Sequence, residues 1–311
     1  MRRPRPGLAR LAAMSESSRT EIIGPASSYY VSQRLKLHYV DWGNDEKPPL
    51  LLVHGGKDHA RSWDFVAQAL RDDYHVIAPD LRGHGDSAWA YGGHYTITEF
   101  VLDLTQLIET LDLAPVTIVA HSLGGAVSLH YAGIYPEKVA KLVAIEGLGP
   151  PPQMLDKLIE VPMWERTAEW IASVRGLSSR TPRRYESIDA AAARMQEENS
   201  FLSPEMARHL TVHGVSRNED GTFSWKFDNY TRPFYPQRYD KQAMRDQWGR
   251  IECPTLLVRG TESWASDPEK DGRADAFQNA QVSNIEGAGH WVHHDQLDAF
   301  LEVIRKFLAS T

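Results

Sequence analysis

The chain has 311 residues, of which 42% are hydrophobic and 10% aromatic, enough for the core of one large α/β domain or of a domain with an insertion. Its formal net charge of −7 argues against a nucleic-acid partner, and no apolar run is long enough to cross a bilayer. The single cysteine, Cys253, cannot form an internal disulfide, and we expect it to be a buried structural thiol.

The first 20 residues differ in composition from the rest of the chain. Residues 1–7 are basic and turn-forming, and the apolar run from Leu8 to Met14 is too short for a secretory signal. We therefore expect residues 1–28 to form a disordered or poorly ordered extension, within which Met14 is a second candidate for the native start. The expected location is the cytoplasm.

From Tyr29 onward, strand and helix signals alternate along the chain. In order, the patterns predict a half-exposed strand at 35–40, a strand buried on both faces at 50–53, a helix at 63–70, a strand at 75–79 and a helix over 97–111. This alternation predicts an α/β fold with a mostly parallel, doubly wound sheet covered by helices on both faces. Ligands of such sheets bind at the carboxyl ends of the strands.

The next predicted strand leads into the most informative motif, Ala120-His-Ser-Leu-Gly124. A β-branched apolar run precedes it, and an apolar helix follows over 126–135. Small residues two positions before and after Ser122 let the chain turn sharply from strand to helix, which leaves the hydroxyl exposed at the tip. A serine at a helix N-terminus also lies near free N–H groups that can stabilise an oxyanion. The alternative interpretation is that Ser122 only caps the helix.

After a buried strand at 141–145, the alternation stops for about 100 residues, which is too long for a crossover loop. Residues 148–249 hold helical segments, many prolines and many aromatic side chains. We interpret them as an inserted, mainly helical cap between two core segments, 29–147 and 250–311. Strands at 255–258 and 280–285 and an amphipathic helix at 298–308 complete the predicted core.

Two glycine-rich loops supply candidate partners for Ser122. His54-Gly-Gly56 follows the strand at 50–53, and the N–H groups of Gly56 and Leu123 could together form an oxyanion hole. Gly287-Ala-Gly-His290 follows the last predicted strand, and a histidine on such a loop can take the proton of the serine. We therefore predict His290 as the general base.

Taken in order, four motifs resemble the α/β-hydrolase superfamily, specifically its esterase-like serine hydrolases with a helical cap. The motifs are Leu51–Gly56, Pro79–Ser87, Ala120–Gly125 and Gly287–His290, and the resemblance covers about residues 29–311. It implies a Ser–His–acid triad and an oxyanion hole, with no metal or organic cofactor. Members with epoxide hydrolase and haloalkane dehalogenase chemistry carry an aspartate at the position of Ser122, which argues against both activities here.

The acid departs from the commonest pattern of that superfamily. The resemblance places it about three residues beyond the glycine that ends the strand at 255–258, where this chain has Ser263, and serine carries no permanent negative charge. Some members carry the acid at the end of the strand after the elbow helix, where Glu146 stands 24 residues beyond Ser122. We predict Glu146 as the acid, with Glu262 and Asp267 as alternatives.

Other polar residues near these motifs are assigned no catalytic role. The turn after the strand at 75–79 resembles the loop-stabilising ion pairs of the superfamily, here formed by Asp80, Arg82, His84 and Asp86. His121 is expected to point away from the serine, because alternate residues of a strand face opposite sides. Five further residues are expected to be solvated surface groups: Lys57, Asp58, His59, His293 and His294.

The predicted activity is therefore hydrolysis, by acyl transfer, of a small to medium, uncharged ester or lactone. The expected partner is this small-molecule substrate, without nucleic acid or a membrane span, and the chain could be a monomer or a dimer.

Three alternatives remain open. A carbon–carbon bond hydrolase would need a cationic anchor for a substrate carboxylate, for which Arg166, Arg194 and Arg232 are candidates. A cofactor-free perhydrolase would use the same triad. A ligand-binding or signalling protein on a hydrolase scaffold would be favoured by loss of the acid, so Glu146 discriminates between the classes.

Overall fold

The computed structural model describes residues 24–233, 235–236 and 239–310, so most of the predicted N-terminal extension lies outside the described residues. Its strands are β1 (Ala26–Ser32), β2 (Leu35–Asp41), β3 (Pro49–Val53), β4 (His75–Pro79), β5 (Val116–His121), β6 (Val139–Ile145), β7 (Val215–Arg217), β8 (Phe223–Trp225), β9 (Thr255–Gly260) and β10 (Ala280–Ile285). Its α-helices are α1 (Asp64–Leu70), α2 (Ile97–Thr110), α3 (Leu123–Ile134), α4 (Pro152–Glu160), α5 (Met163–Ser178), α6 (Ile188–Glu198), α7 (Pro204–Gly214), α8 (Lys241–Trp248), α9 (Val292–Asp295) and α10 (Leu297–Ala309).

Eight strands form one sheet in the order β1-β2-β4-β3-β5-β6-β9-β10. All pairs from β4 to β10 are parallel, and only β2 runs antiparallel to its two neighbours. The mostly parallel sheet predicted from the sequence is therefore confirmed. In the sheet, β4 lies on one side of β3 and β5 lies on the other, so the strand order reverses direction at β3. Ligands of such sheets bind where the order reverses, which here is next to the carboxyl ends of β3 and β5.

The core packs on both faces of this sheet. In β3, Leu51 and Val53 belong to one hydrophobic cluster with α2 and α3, whereas Leu50 and Leu52 belong to a second cluster with α1 and α10. Successive side chains of a strand point to opposite faces, so a strand covered on both sides is apolar throughout. This explains the continuous apolar runs of β3, β5 and β6.

Two local features differ from the sequence prediction. The strand β1 starts at Ala26, within the predicted extension, and its pairing with β2 helps to bury Leu37–Val40 in a strand expected to be half-exposed. The helix α3 starts at Leu123, three residues earlier than predicted, so that it follows Ser122 directly.

Helices α4 to α8 lie between β6 and β9 in the chain, together with the antiparallel hairpin β7–β8. The hairpin was not predicted, because strands of three residues show no usable periodicity. Long-range hydrogen bonds connect this segment to the sheet domain: His59 Nε2 contacts the Leu210 carbonyl at 2.9 Å, and the Tyr95 hydroxyl donates to Asp228 at 2.6 Å.

Two predictions from composition can be compared with the structure directly. Cys253 is buried, as expected, and burial raises the pKa of its thiol to about 11. Within the described ranges, no helix is both long and apolar enough to span a membrane.

Candidate active site

Ser122 occupies a sharp turn between β5 and α3. Its backbone has φ +50° and ψ −111°, a region that L-residues rarely adopt, and its N–H donates to the Ile145 carbonyl at 2.8 Å. A Cβ on Gly124 would lie 2.5 Å from both the Val53 and the His54 carbonyl oxygens, so only glycine allows α3 to start this close to the end of β3. The turn presents the hydroxyl at the carboxyl edge of the sheet.

The structure brings Ser122, His290 and Glu146 together. Ser122 Oγ lies 3.0 Å from His290 Nε2, and His290 Nδ1 lies 3.1 Å from Glu146 Oε2. Both distances are within hydrogen-bonding range, so one imidazole contacts the hydroxyl with one nitrogen and the carboxylate with the other. Such an arrangement can move a proton from the serine while the carboxylate holds the ring.

Glu146 follows β6 directly, with a backbone φ of +53°. Its side chain is fully buried; Oε1 accepts a hydrogen bond from the Gly260 N–H at 2.9 Å, and Oε2 accepts one from the Ser263 hydroxyl at 2.6 Å. Ser263 stands at the position where the resemblance places the acid. It instead donates a hydrogen bond to Glu146, the carboxylate that contacts His290. Only the three-dimensional structure reveals this contact.

The two alternative carboxylates are placed differently. Glu262 is exposed. Asp267 is buried, but its carboxylate accepts hydrogen bonds from Asn284 Nδ2 and from the Glu269 N–H, at 3.0 and 3.1 Å. In the described part of the chain neither carboxylate is hydrogen-bonded to His290.

The loop after β3 packs against the turn that carries Ser122. A Cβ on Gly55 would lie 2.6 Å from His121 Nδ1 and 3.3 Å from Ser122 Cβ, which requires glycine at this position. His54 braces the loop, since its Nδ1–H donates to the Gly55 carbonyl at 2.7 Å and its Nε2 accepts from the Leu81 N–H at 3.0 Å. Burial lowers the pKa of His54 to about 3, which keeps the ring neutral and able to accept.

The two residues predicted to donate to the oxyanion lie in the loop after β3 and directly after Ser122. Gly56 is exposed, with open space where a Cβ would be. Leu123 is the first residue of α3, where backbone N–H groups have no intrahelical partner.

His121 makes a contact that sequence reasoning missed. It is buried, and its Nε2–H donates to the backbone carbonyl of His290 at 2.9 Å, while the two rings lie 4.9 Å apart. His121 therefore supports the loop that carries His290 rather than bonding to the serine. The strand alternation indicated only that its ring would not face Ser122.

Four of the five residues expected to be solvated are buried, which corrects the sequence prediction; only Lys57 is exposed. His293 stacks on Trp63 with ring centroids 4.4 Å apart and lies 4.0 Å from the His294 ring. Asp58 and His59 are covered because α7 packs over this loop through the Leu210 carbonyl. Local polarity suggested exposure, but distant segments cover these side chains.

The residues after β4 make structural contacts, as expected. His38 Nδ1–H donates to Asp80 at 2.6 Å, and Arg82 pairs with Asp103. Burial alone would raise the pKa of Asp80, but hydrogen bonds from His38 and the Ala60 N–H lower it to about 2. Near them, two further polar contacts involve His84 with the Arg82 carbonyl and Asp86 with Lys226.

A small cavity lies between the loop after β3 and the helices α6 and α7. Its apolar lining includes Met195, Trp225, Phe227 and Trp291, and its polar lining includes Lys57, Asp58, His59 and Lys226. Next to His290, the Trp264 ring lies 5.2 Å from the imidazole and is 58% exposed.

The three arginines named as candidate anchors for a substrate carboxylate make different contacts. Arg166 donates to the Val161 carbonyl, and Arg194 pairs with Glu197 and Glu198. Arg232 lies 5.2 Å from the ring of Phe227, which lines the cavity.

Lys57 provides a second cationic group at this cavity. Partial burial and the nearby charge of Arg232 lower the pKa of its ammonium group.

Three groups of histidine and aspartate side chains bring possible metal-ligating atoms within 4.8 Å of one another in the described residues. They are Asp58–His121–His293, Asp64–His209–His213 and His38–Asp80–Asp86. Neither Ser122 nor Glu146 belongs to any of them.

The comparisons with known proteins agree on one family. Residues 48–297 match the family model described as alpha/beta hydrolase fold. Epoxide hydrolase 1 of Caenorhabditis elegans is 30% identical over 91% of this chain and 70% of that protein. Esterase Rv0045c of Mycobacterium tuberculosis is 27% identical over 97% of this chain and 96% of that protein. The 2-hydroxy-6-oxo-2,4-heptadienoate hydrolase of Pseudomonas putida is 29% identical over 88% of this chain and 92% of that protein.

A solved structure of the esterase Rv0045c superposes with a TM-score of 0.73 at 24% identity, covering 92% of each chain. At this identity the likeness shows the fold alone.

Proposed function

The chain belongs to the alpha/beta hydrolase fold family, and on that premise we propose that it is a serine hydrolase that cleaves a small to medium, uncharged ester or lactone through an acyl-enzyme. The observation that carries the proposal is the continuous contact from Ser122 Oγ through His290 to Glu146, at 3.0 and 3.1 Å. Because Glu146 is present and bonded to His290, a ligand-binding protein with a vestigial site is the weaker interpretation.

In the proposed mechanism, Ser122 Oγ attacks the substrate carbonyl while His290 Nε2 takes its proton. The N–H groups of Gly56 and Leu123 hold the negative oxygen of the tetrahedral intermediate. His290 then donates the proton to the leaving alkoxide, and an acyl-Ser122 ester remains. A water molecule, deprotonated by His290, attacks this ester and restores the serine.

Glu146 acts through His290. Its Oε2 accepts the Nδ1–H, which leaves the Nε2 lone pair directed at Ser122 and stabilises the imidazolium that forms. The hydrogen bonds from Gly260 and Ser263 fix the carboxylate in place, so the ring orientation is set before substrate binds.

The nucleophile separates this proposal from the epoxide hydrolase activity named for one relative. Attack of a carboxylate on an epoxide carbon gives an ester, which water can hydrolyse at its carbonyl. Attack by Ser122 would give an ether, which has no carbonyl for water to attack. A serine nucleophile therefore supports turnover of acyl substrates and not of epoxides.

We also propose that residues 148–249 form a cap over the strand ends of a core made of residues 29–147 and 250–311. The cavity next to the site supports this assignment, since Met195, Trp225 and Phe227 of the inserted segment face Trp291 of the core across it. The aromatic rings in its lining support a substrate with an apolar group.

One observation favours a second candidate, a hydrolase for a carboxylate-bearing substrate such as a carbon–carbon bond hydrolase. Lys57 follows Gly56 directly, and its pKa is lowered by partial burial and then by the nearby charge of Arg232. Two cations near the oxyanion loop could bind a carboxylate, and the relative from Pseudomonas putida is named for a heptadienoate substrate.

The proposal is tested by labelling the full-length protein with a fluorophosphonate and mapping the adduct by mass spectrometry. We expect one adduct, on Ser122, that disappears in Ser122→Ala and persists in the control Ser128→Ala, which removes a buried hydroxyl of the helix that follows Ser122, α3. The absence of any adduct, together with no ester turnover, would contradict the proposed function.

Paired substrates separate the two candidates. Neutral p-nitrophenyl esters of increasing acyl length are compared with a p-nitrophenyl ester that carries a terminal carboxylate. If the neutral esters are turned over faster and Lys57→Met changes neither rate, the main proposal is supported. Faster turnover of the acidic ester, lost in Lys57→Met, would favour the second candidate.

A further inference from the structure

A group of buried polar side chains lies beside the Ser122–His290 pair but takes no part in the proposed chemistry. Asp58, His121 and His293 are 7%, 1% and 1% exposed. One possible ligand atom from each lies within 4.8 Å of the other two. They come from three separate places in the chain: the loop after β3, the last residue of β5, and α9.

Four polar atoms of this group have no hydrogen-bond partner in the described part of the chain. They are Asp58 Oδ2, His121 Nδ1 and both ring nitrogens of His293. Buried polar atoms are nearly always satisfied, because leaving them unpaired loses the hydrogen bonds that water supplied. Only one nitrogen of His293 can face the other two residues, so three unpaired atoms, one from each side chain, can meet around a bound ion.

The hydrogen bonds of two of these side chains leave a second polar atom on each available to an ion. The Nε2–H of His121 donates to the His290 carbonyl, so its Nδ1 carries a lone pair. Asp58 Oδ1 accepts from the His59 N–H at 2.9 Å, which leaves Oδ2 free to bind.

In the other two groups with similar spacing, the carboxylates already have hydrogen-bond or ion-pair partners. In one, Asp64 accepts from Arg61 at 2.8 Å. In the other, Asp80 accepts from His38, and Asp86 pairs with Lys226. Their carboxylates already have protein cations or donors as partners, so they need no ion.

We propose that Asp58, His121 and His293 bind one divalent transition-metal ion of the zinc type. Two imidazole nitrogens and one carboxylate oxygen suit zinc, cobalt or nickel, whereas magnesium and calcium prefer oxygen ligands alone. Three protein ligands leave the fourth tetrahedral position to water. Neighbouring ligand atoms of such an ion lie ~3.4 Å apart, so separations that are within 4.8 Å here would shorten by at most about 1.4 Å on binding.

The bound ion would cross-link separate segments of the chain. It joins the loop after β3 to α9, and through His121 it connects to the backbone of His290. It touches neither the Ser122 hydroxyl nor Glu146, so the inference is independent of the proposed reaction and is tested by binding and stability.

The test uses full-length protein without a polyhistidine tag, expressed in medium with added Zn²⁺ and dialysed against zinc-free buffer. We expect one zinc per chain by elemental analysis, and removal by a strong chelator should lower Tm. Reloading with Co²⁺ should give the visible absorption of tetrahedral cobalt. Asp58→Asn and His293→Gln should each weaken zinc binding at least about tenfold while circular dichroism shows an intact fold.

Two control variants separate this site from adventitious binding. The double variant His209→Gln/His213→Gln removes a partly exposed histidine pair one turn apart on α7, and His290→Ala removes the histidine beside Ser122. Both should keep one zinc per chain. The proposal is overturned if wild-type protein holds no zinc under these conditions, if Asp58→Asn and His293→Gln bind it as wild type does, or if a control variant loses it.

Discussion

At the scale of single residues, the pairing of Glu146 with Ser263 distinguishes this site. A serine stands where the superfamily resemblance puts the acid, and it donates a 2.6 Å hydrogen bond to the glutamate that contacts His290. The site therefore keeps a carboxylate beside the imidazole but takes it from β6 instead of from the loop after β9. Ser263 serves to orient that carboxylate.

Replacing Glu146 with glutamine should lower kcat by about 10²–10⁴-fold, because the amide can neither stabilise an imidazolium nor enforce the required tautomer. The measurement is steady-state kinetics on the best ester substrate. Glu262→Gln and Asp267→Asn are matched controls that change an exposed and a buried carboxylate near the site. A near-normal kcat in Glu146→Gln with a large loss in either control would show that the acid is assigned wrongly.

At the scale of elements, the position of Ser122 depends on close packing between three chain segments. The start of α3 touches the end of β3 at Gly124, and a Cβ on Gly125 would lie 2.7 Å from the Cα of Gly147, just after β6. Because Glu146 precedes Gly147, the same contacts that place the serine also place the acid. The glycines at these contacts therefore bring the ends of β3, β5 and β6 close together beside the His290 imidazole.

A methyl group at Gly124 should therefore be costly. In Gly124→Ala the new Cβ would approach two backbone carbonyl oxygens to 2.5 Å, and backbone cannot rotate away as a side chain can. We expect a loss of about 1–3 kcal/mol in the free energy of unfolding, together with a lower kcat. Chemical denaturation and ester kinetics measure the two effects.

Gly176→Ala provides the comparison for this substitution. Gly176 lies within α5, and no heavy atom comes within 4 Å of the position of its Cβ. Here alanine should stabilise the helix by about 0.5–1 kcal/mol without changing kcat. Equal effects of the two substitutions would contradict the packing argument.

At the scale of the whole molecule, buried histidines link stability to pH. Burial lowers the pKa of both His54 and His294 to about 3, and it lowers the pKa of His84, His121 and His293 as well. Between the unfolded value of 6.5 and these folded values, the unfolded chain binds more protons than the folded one. Stability must therefore fall as pH decreases through this window.

Each such histidine should lower the free energy of unfolding by up to about 1.4 kcal/mol per pH unit once the pH is well below 6.5. Two groups oppose the trend: burial raises the pKa of Asp58, and it raises the pKa of Asp295 to about 6, so each carboxyl favours the folded state as pH falls towards 3.8. Several histidines outweigh two carboxyls, and we expect a net loss. Urea denaturation at pH about 7.5, 6.5 and 5.5 measures it, and a free energy of unfolding that stays constant or rises on acidification would refute the prediction.

The sequence by itself determined the fold class and the positions of the main elements, because periodicity, apolar runs and glycine-rich turns are local properties of the chain. The same local patterns identified Ser122 and His290 as candidates. They did not reveal the hairpin β7–β8, whose strands have only three residues each, or the strand β1, which starts within the predicted extension.

Only the tertiary structure decided which groups meet. Sequence reasoning favoured Glu146 among three carboxylates, but its contact with His290 joins residues 144 positions apart, and its bond from Ser263 spans 117. Burial of Asp58, His59, His293 and His294 likewise depends on distant segments, such as α7, whose Leu210 carbonyl lies 151 residues from His59. The polarity of a side chain follows from the sequence alone, whereas its solvent exposure and its partners depend on which distant segments pack against it.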